Sequence, residues 1–456
     1  MQYALQVSNV REQFYTRRGT YKALNGVDLL LLEQGEVFGL AGESGCGKTT
    51  LGLTIIGLLP RNAAITGGEV ILDGRNLVET LREYALANSS NFKPSRNEKI
   101  LKKLNKELTG IRGKRISMVF QDPMTSLNPV LRVGYQVAET MVVHAPKSLA
   151  QRRLSRLRVT RSDLESIIKI LKASGDEKSI ISYVEEKKLQ GIEEQILNVW
   201  RRKDLGEAKK EKLILSLHVE EINGIDRRIL ESIERTGTAP QWTRMIPFFR
   251  QSVKRLLFME GYRRSAELLS ILEVPYAEKV VMSYPHELSG GMRQRVVIAI
   301  ALANDPKIII LDEPTSALDV TVQAQILDLV RHLKEKLNIS FIFISHDLSV
   351  LSEVCDRIGI MYAGRIVEVA PTDEIFNNPL HPYTKLLIAA VPTLEGQEVK
   401  GIGGTVPDMR QPPTGCMFHP RCPYVMETCS KNEPQLLEAG ENHQVACFLY
   451  PEVHKS

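Results

Sequence analysis

Apolar residues cluster at two periods along this chain. In residues 1–80 short apolar stretches alternate with turns: LQVSNV, VDLLLL and GEVFGLAG each predict a strand, and GGEVILDG (67–74) a further short one between glycine turns. A helix is predicted from Lys48 to about Leu59, and ISMVF (116–120) reads as a buried strand. Between them, residues 80–108 form a first polar insert. From about 146 to 250 the period changes. Leu189, Ile192, Ile196 and Val199 recur at helical spacing, as do Ile222, Ile225, Ile229 and Ile233, with Asn223-Gly224, Gly237 and Pro240 as breaks. This predicts a helical hairpin or small bundle with one apolar face. Strand and helix are expected to return at about 255, with KIIILDEP (307–314) and ISFIFISHD (339–347) as buried strands. Beyond Ala370 a Pro-rich and finally Cys-rich tail reads as a separate appendage.

Composition narrows the class. Of 456 residues, 43% are hydrophobic and 25% charged, the balance of a globular protein with two or three folding units. No run approaches a bilayer-spanning length, and MQYALQVSNVREQF lacks a signal-peptide pattern, so a cytosolic chain is expected. The formal charge of +5 is local: residues 147–250 hold 22 Lys and Arg against 16 Asp and Glu. Such a segment suits nucleic acid or anionic lipid, or simply a solvated helical surface. Four of the six cysteines fall in the last 41 residues, which in a cytosolic chain suggests metal before disulfide.

The chemistry begins at Gly42-x4-Gly47-Lys48-Thr49, a glycine loop placed after an apolar strand and before a helix. Its backbone N–H groups and the positive end of the helix suit a β-phosphate. Gly42, Ser44, Gly45, Cys46, Gly47, Lys48, Thr49 and Thr50 form the candidate nucleotide-binding run, with Lys48 for the phosphates, Thr49 for Mg²⁺ and Cys46 as a small filler. Asp312 and Glu313 end a buried strand, Asp312 suited to the Mg²⁺ shell and Glu313 to polarising an attacking water. Gln121 follows another strand and can reach metal and water; His346 follows a third and can contact a γ-phosphate. Ser289, Gly290 and Gly291 open a helix and form a second anion site. One chain with two such sites implies a head-to-tail dimer that sandwiches each ATP between the loop of one subunit and the serine-glycine site of the other.

These strings resemble those of an ATP-binding-cassette ATPase: GESGCGKTT (42–50), Gln121, LSGGMRQR (288–295), IIILDEP with Glu313, SALD (316–319) and His346. The resemblance implies an α/β P-loop NTPase fold, with a RecA-like core at 1–120 and 289–370 and a helical subdomain at 121–288 that includes the 146–250 insertion. It also implies that Asp319 joins Ser289, Gly290 and Gly291 in reaching the partner's nucleotide, and that an aromatic stacks on adenine. Phe14 is the best-placed candidate for that role, with Tyr15 and Tyr21 competing.

The tail, IFNNPLHPYTKLLI (375–388) and GGTVPDMRQPPTGCMFHPRCPY (403–424), resembles the C-terminal extension of oligopeptide and dipeptide import ATPases, here residues 371–456. That resemblance implies a 4Fe-4S cluster on Cys416, Cys422, Cys429 and Cys447; the residues alone leave zinc open. The function it implies is ATP hydrolysis at the cytoplasmic face of the membrane, powering import of peptides, or of related solutes such as oligosaccharides or nickel. Two permeases, a second and distinct homologous ATPase and, indirectly, an extracytoplasmic solute-binding protein would be the partners. A soluble ATPase acting as a clamp or switch on nucleic acid or ribosomes is the alternative, resting on the basic insert. A catalytically silent regulatory subunit is disfavoured by Lys48, Glu313 and His346, and no nucleic acid is expected on the first reading.

Overall fold

The computed structural model describes residues 4–31, 35–60, 62–72, 74–78, 106, 108–159, 161–174, 177–186, 193–202, 205–215, 224–241, 243, 247–391 except 317, and 402–450. The expected polar insert at 80–108 falls almost wholly outside them, as do Leu189, Ile192 and Ile222. The chain divides into two compact units, Met1–Pro123 with Asp305–Ser456, and Met124–Asn304.

The first unit is built on two sheets. Strands β1 (Leu5–Thr16), β2 (Gly19–Leu31), β4 (Ala63–Leu72) and β5 (Arg75–Asn76) form an antiparallel sheet in the order β2-β1-β4-β5. The larger sheet contains β3 (Val37–Ala41), β6 (Ile116–Val119), β7 (Ile308–Asp312), β8 (Ser340–Ile344), β9 (Arg357–Tyr362), β10 (Arg365–Pro371), β11 (Leu437–Gly440) and β12 (His443–Val445), in the order β11-β12-β10-β9-β3-β8-β7-β6. Strands β6, β7, β8, β3 and β9 run parallel, and β10, β12 and β11 add on antiparallel. Every residue of β3, β7 and β8 is buried, which is why these strands are continuous apolar runs.

One core joins the two sheets through the helix Lys48–Ile55. Val7, Val10, Val27, Val70 and Leu72 of the antiparallel sheet meet Leu51 and Ile55 of the helix, and Phe38, Ile310 and Ile344 of the parallel sheet. Each such side chain, fully buried, stabilises the fold by about 1.5–3 kcal/mol. The helix stops at Ile55, short of the expected Leu59, because a turn at Ile56 and Gly57 (φ 68°) ends it.

One expectation needs correcting. The tail is not a separate appendage: β12 pairs with β10 and extends the parallel sheet. The buried Glu368 of β10 fixes this junction, accepting from the Leu380 and His381 N–H groups (2.7 and 2.9 Å) and lying 2.7 Å from His443 Nε2 of β12. Beyond 250 helix comes first and strand follows from Ile308. Residues Pro247–Ile271 form one long helix whose apolar residues give no single stripe.

Of the two forms expected for the insert, the small bundle is the one present: Pro146–Arg158, Arg161–Ser174, Glu177–Glu186, Glu193–Trp200, Glu207–Leu215 and Gly224–Thr236 are all helices. Leu164, Ile167, Leu171, Ile180, Val184, Ile196 and Ile214 share a core of their own. Ile229 and Ile233 are buried as their spacing predicts, whereas Ile225, the second residue of its helix, is exposed. Elsewhere in this unit the long helix crosses Val133–His144 closely, with Gly261 against Ala138 and Tyr135 stacked on Phe258 at 4.7 Å.

Candidate nucleotide site

Because β3, β6, β7 and β8 are parallel, their carboxyl ends open on one sheet edge, and each delivers a candidate residue there. After β3 comes the glycine loop. Gly42, Gly45 and Gly47 take φ values of 149°, 80° and 109°, and Gly47 is the cap of the helix Lys48–Ile55. A Cβ on Gly42 would stand 2.2 Å from the Met361 carbonyl oxygen, so only glycine fits there. Cys46 is buried, as a filler should be, and its carbonyl accepts from the Gly364 N–H (2.8 Å). Ser44 and Gly45 are exposed at the mouth of the loop. Lys48 is buried and turns its ammonium back onto the loop, donating to the carbonyl oxygens of Gly42 (2.7 Å) and Glu43 (3.2 Å). Thr50, half-buried, lies one residue beyond Thr49 on the same helix.

Thr49 donates to Asp312 at the end of β7 (3.0 Å), joining the loop to the neighbouring strand end. Burial pushes the Asp312 carboxyl up from its ordinary value, and nearby Glu313 adds to this; the Thr49 hydrogen bond and Lys48 oppose it. Glu313 gathers the remaining pieces. Gln121, beyond β6, donates its side-chain amide to Glu313 (2.8 Å), and His346 Nδ1, beyond β8, lies 3.1 Å from the other carboxylate oxygen. Glu313 also has φ 47°, a left-handed backbone for a non-glycine residue, held by its N–H bond to the Ile344 carbonyl (2.9 Å). Three residues spread from position 121 to 346 thus become one hydrogen-bonded set, beside the Thr49–Asp312 pair. Thr49, Asp312 and Gln121 present hydroxyl, carboxylate and amide oxygens, the hard donor chemistry that suits Mg²⁺.

The other predicted residues are placed separately. Asp319 is exposed and caps the helix Val320–Leu337, accepting from the Val322 N–H (3.0 Å). Ser289 caps Gly290–Leu302 in the second unit, accepting from the Met292 N–H (3.4 Å), with Ser289 and Gly290 exposed. Of the aromatics, Phe14 sits opposite Tyr21 in the β1–β2 register and so shares its face, while Tyr15 takes the other face. Tyr21 is close enough to Cys46 for that thiol to help raise its pKa, after burial and Asp408.

The four tail cysteines also come near one another. Cys416 donates its N–H to the Cys429 carbonyl (2.8 Å), and the thiols of Cys416 and Cys447 are both pushed up to about 11, by burial first and by the other cysteines among the lesser causes. Burial likewise raises Cys422. Among the described residues, however, no group of three or more His, Cys, Asp or Glu side chains is arranged to hold a metal ion. The expected 4Fe-4S cluster or zinc on Cys416, Cys422, Cys429 and Cys447 is therefore not supported. All four are free cysteines, Cys429 buried and Cys416, Cys422 and Cys447 half-buried.

Sequence reasoning missed two residues that touch the loop from the tail. Tyr383 accepts from the Glu43 N–H (2.9 Å), and Arg421 donates to both Glu43 carboxylate oxygens (2.8 and 3.1 Å). Nothing local marks either residue; Arg421 lies 378 positions from its partner.

Known proteins place this geometry in a lineage. Residues 24–316 match the ABC transporter family, and residues 367–429 match the family described as Oligopeptide/dipeptide transporter, C-terminal region. Among curated relatives, the oligopeptide transport ATP-binding protein AppD of Bacillus subtilis is 32% identical over 98% of this chain and 97% of its own length. The dipeptide transport ATP-binding protein DppD of the same organism is 33% identical over 98% and 95%. The oligopeptide transport ATP-binding protein OppD of Escherichia coli is 32% identical over 97% and 92%. This chain belongs to the ABC transporter ATPases, in the branch of the oligopeptide and dipeptide transport ATP-binding proteins.

Proposed function

We propose that this chain hydrolyses ATP to drive peptide import through separate permease subunits. The single observation that carries the chemistry is the convergence of Gln121, His346 and Asp312-Glu313 on the sheet edge beside Lys48 and Thr49. Glu313 is the group that takes a proton from the attacking water, and Gln121 and His346 hold its two oxygens in place. Lys48 exchanges its loop carbonyls for phosphate oxygens, and loop N–H groups other than those of Glu43 and Cys46, which donate to Tyr383 and to the Glu43 carbonyl, receive the β-phosphate. Mg²⁺, when bound, offsets phosphate charge and is held by Thr49, Asp312 and Gln121. Phe14, with Tyr21 on the same face, is proposed to cover the adenine.

The serine-glycine site at Ser289, Gly290 and Gly291, with Asp319, completes the nucleotide site of a second ATPase, taken here to be a distinct homologous chain. The subdomain expected at 121–288 carries closure of the pair to the permeases, and residues 371–456 form the import-type extension. Among the described residues no helix is long and apolar enough to cross a membrane, and the proposed path is supplied by other chains. Peripheral attachment at the cytoplasmic face follows from that division of labour. Its relatives' names support the peptide cargo, and an external binding protein would select it.

A tagged full chain recovered from native membranes tests this reading. Two multi-span permeases and a second cassette ATPase are expected among the co-purifying proteins. Ribosomal proteins or nucleic acid without a permease would overturn the import function and return weight to the basic helices of 147–250.

A further inference from the structure

Glu43 is held at three separate points. Its N–H donates to Tyr383, its carbonyl accepts from Lys48, and its carboxylate takes both arms of Arg421. Two of these partners come from the C-terminal extension, and the third is the lysine proposed for the phosphates. The arginine is committed to this task. Its side chain is only 4% exposed, and it also donates to the Gly403 carbonyl (2.9 Å) and the Tyr362 hydroxyl (3.3 Å). The guanidinium lies over the rings of Tyr362 and Phe418, which pack edge-on against each other and enclose Tyr383.

A carboxylate inside a phosphate-binding loop is otherwise a liability. An unneutralised Glu43 repels a triphosphate and competes for the Lys48 ammonium. A bidentate guanidinium cancels that charge and fixes the side chain's direction, which a single-point cation does less well.

We propose that Arg421 and Tyr383 form a clamp by which the C-terminal extension neutralises and positions Glu43, and so sets the nucleotide affinity of the phosphate loop. The inference rests on the nucleotide-site reading above. Arg421 is a positioning residue that acts through Glu43. The extension is then part of the nucleotide site's machinery, and any partner that shifts the 402–422 segment alters ATP affinity directly.

The test uses the full-length chain, titrated with trinitrophenyl-ATP and Mg²⁺, beside steady-state ATPase assays. Arg421→Gln is expected to weaken nucleotide binding about tenfold and to raise KM far more than it lowers kcat, with the loss shrinking at high salt. Arg421→Lys keeps the charge without the fork, and should fall between the parent and Arg421→Gln. Adding Glu43→Gln to Arg421→Gln removes the stranded charge, and should restore affinity to within about threefold of the parent. If the double variant binds as weakly as Arg421→Gln, the arginine only braces the extension and the clamp is refuted. Parental affinity in Arg421→Gln refutes it too. If Arg421→Gln does not fold, the Arg421→Lys variant with and without Glu43→Gln decides by the same comparison. Failure of the parent to bind the probe in a manner lost in Lys48→Ala would instead sink the underlying nucleotide reading.

Discussion

The phosphate edge and the cysteine cluster lie in the same folding unit, and both gather residues far apart in sequence, yet they are built differently. At the phosphate edge, side chains meet one another. Thr49 holds Asp312, and Gln121 and His346 both hold Glu313, across strand ends kept rigid by fully buried neighbours. In the tail the link between Cys416 and Cys429 is a backbone hydrogen bond, and among the described residues no group of side chains is arranged to hold a metal. Proximity is common to the two. Only the first has side chains already aimed at a common target, which is what makes a site reactive without reorganisation.

Replacing Glu313 by Gln sharpens that contrast most. The amide still packs between Gln121 and His346 but cannot take a proton. Turnover should fall by about 10²–10⁴-fold, the usual worth of a positioned base, while ATP is still bound. The variant is expected to accumulate as an ATP-loaded closed dimer, visible as a doubled mass in size-exclusion chromatography with light scattering. Hydrolysis at the parental rate would remove Glu313 from the mechanism.

How far this contrast could be read in advance depended on local pattern. VFGLA, IIILD and FIFI were legible because strands buried on both faces are unbroken apolar runs. The loop from Gly42 to Thr49 was legible because backbone geometry demands its glycines. The β9–β10 hairpin and its pairing with β12 left no such trace. That junction depends on Glu368 and His443, a charged residue and an imidazole that a pattern reader assigns to the surface. The Arg421–Glu43 pair was invisible for the same reason: tertiary contacts between polar residues carry no period. Conversely, the four cysteines read more strongly from composition than their arrangement supports.

A buried acid behind the loop separates burial from function. Glu12 of β1 is wholly buried, one of its oxygens has no hydrogen-bond partner, and the other accepts from Thr54 of the phosphate-loop helix. Burial raises its pKa from 4.5 to about 7, with the Thr54 bond opposing the shift. The folded chain therefore keeps a proton that the unfolded chain has lost between pH 4.5 and about 7, so stability falls as pH rises through that window. Glu12→Gln, which never ionises, should gain stability relative to the parent by up to about 3 kcal/mol at pH 8 and gain little at pH 4.5. Urea unfolding at the two pH values reads this out. Equal gains at both would show that Glu12 does not titrate in that window.

The smallest effect is expected in the tail. If Cys416 and Cys429 are packed thiols, Ser at either position trades a sulfur contact for a hydroxyl that must find a partner. At the buried Cys429 this costs about 1–2 kcal/mol. Neither change touches Lys48, Glu313 or the strands that carry them, so turnover should stay within about twofold of the parent while the thermal midpoint falls by a few degrees. Elemental analysis of the protein purified without oxygen should find neither iron nor zinc near one equivalent per chain. A stoichiometric metal lost on Cys416→Ser would break the comparison from its weaker side. Four thiols would then have been drawn together by the metal itself, since a strongly bound cation stabilises thiolates that burial alone keeps protonated. The tail would have to be counted as a second built site, assembled by its ligand rather than by the sheet.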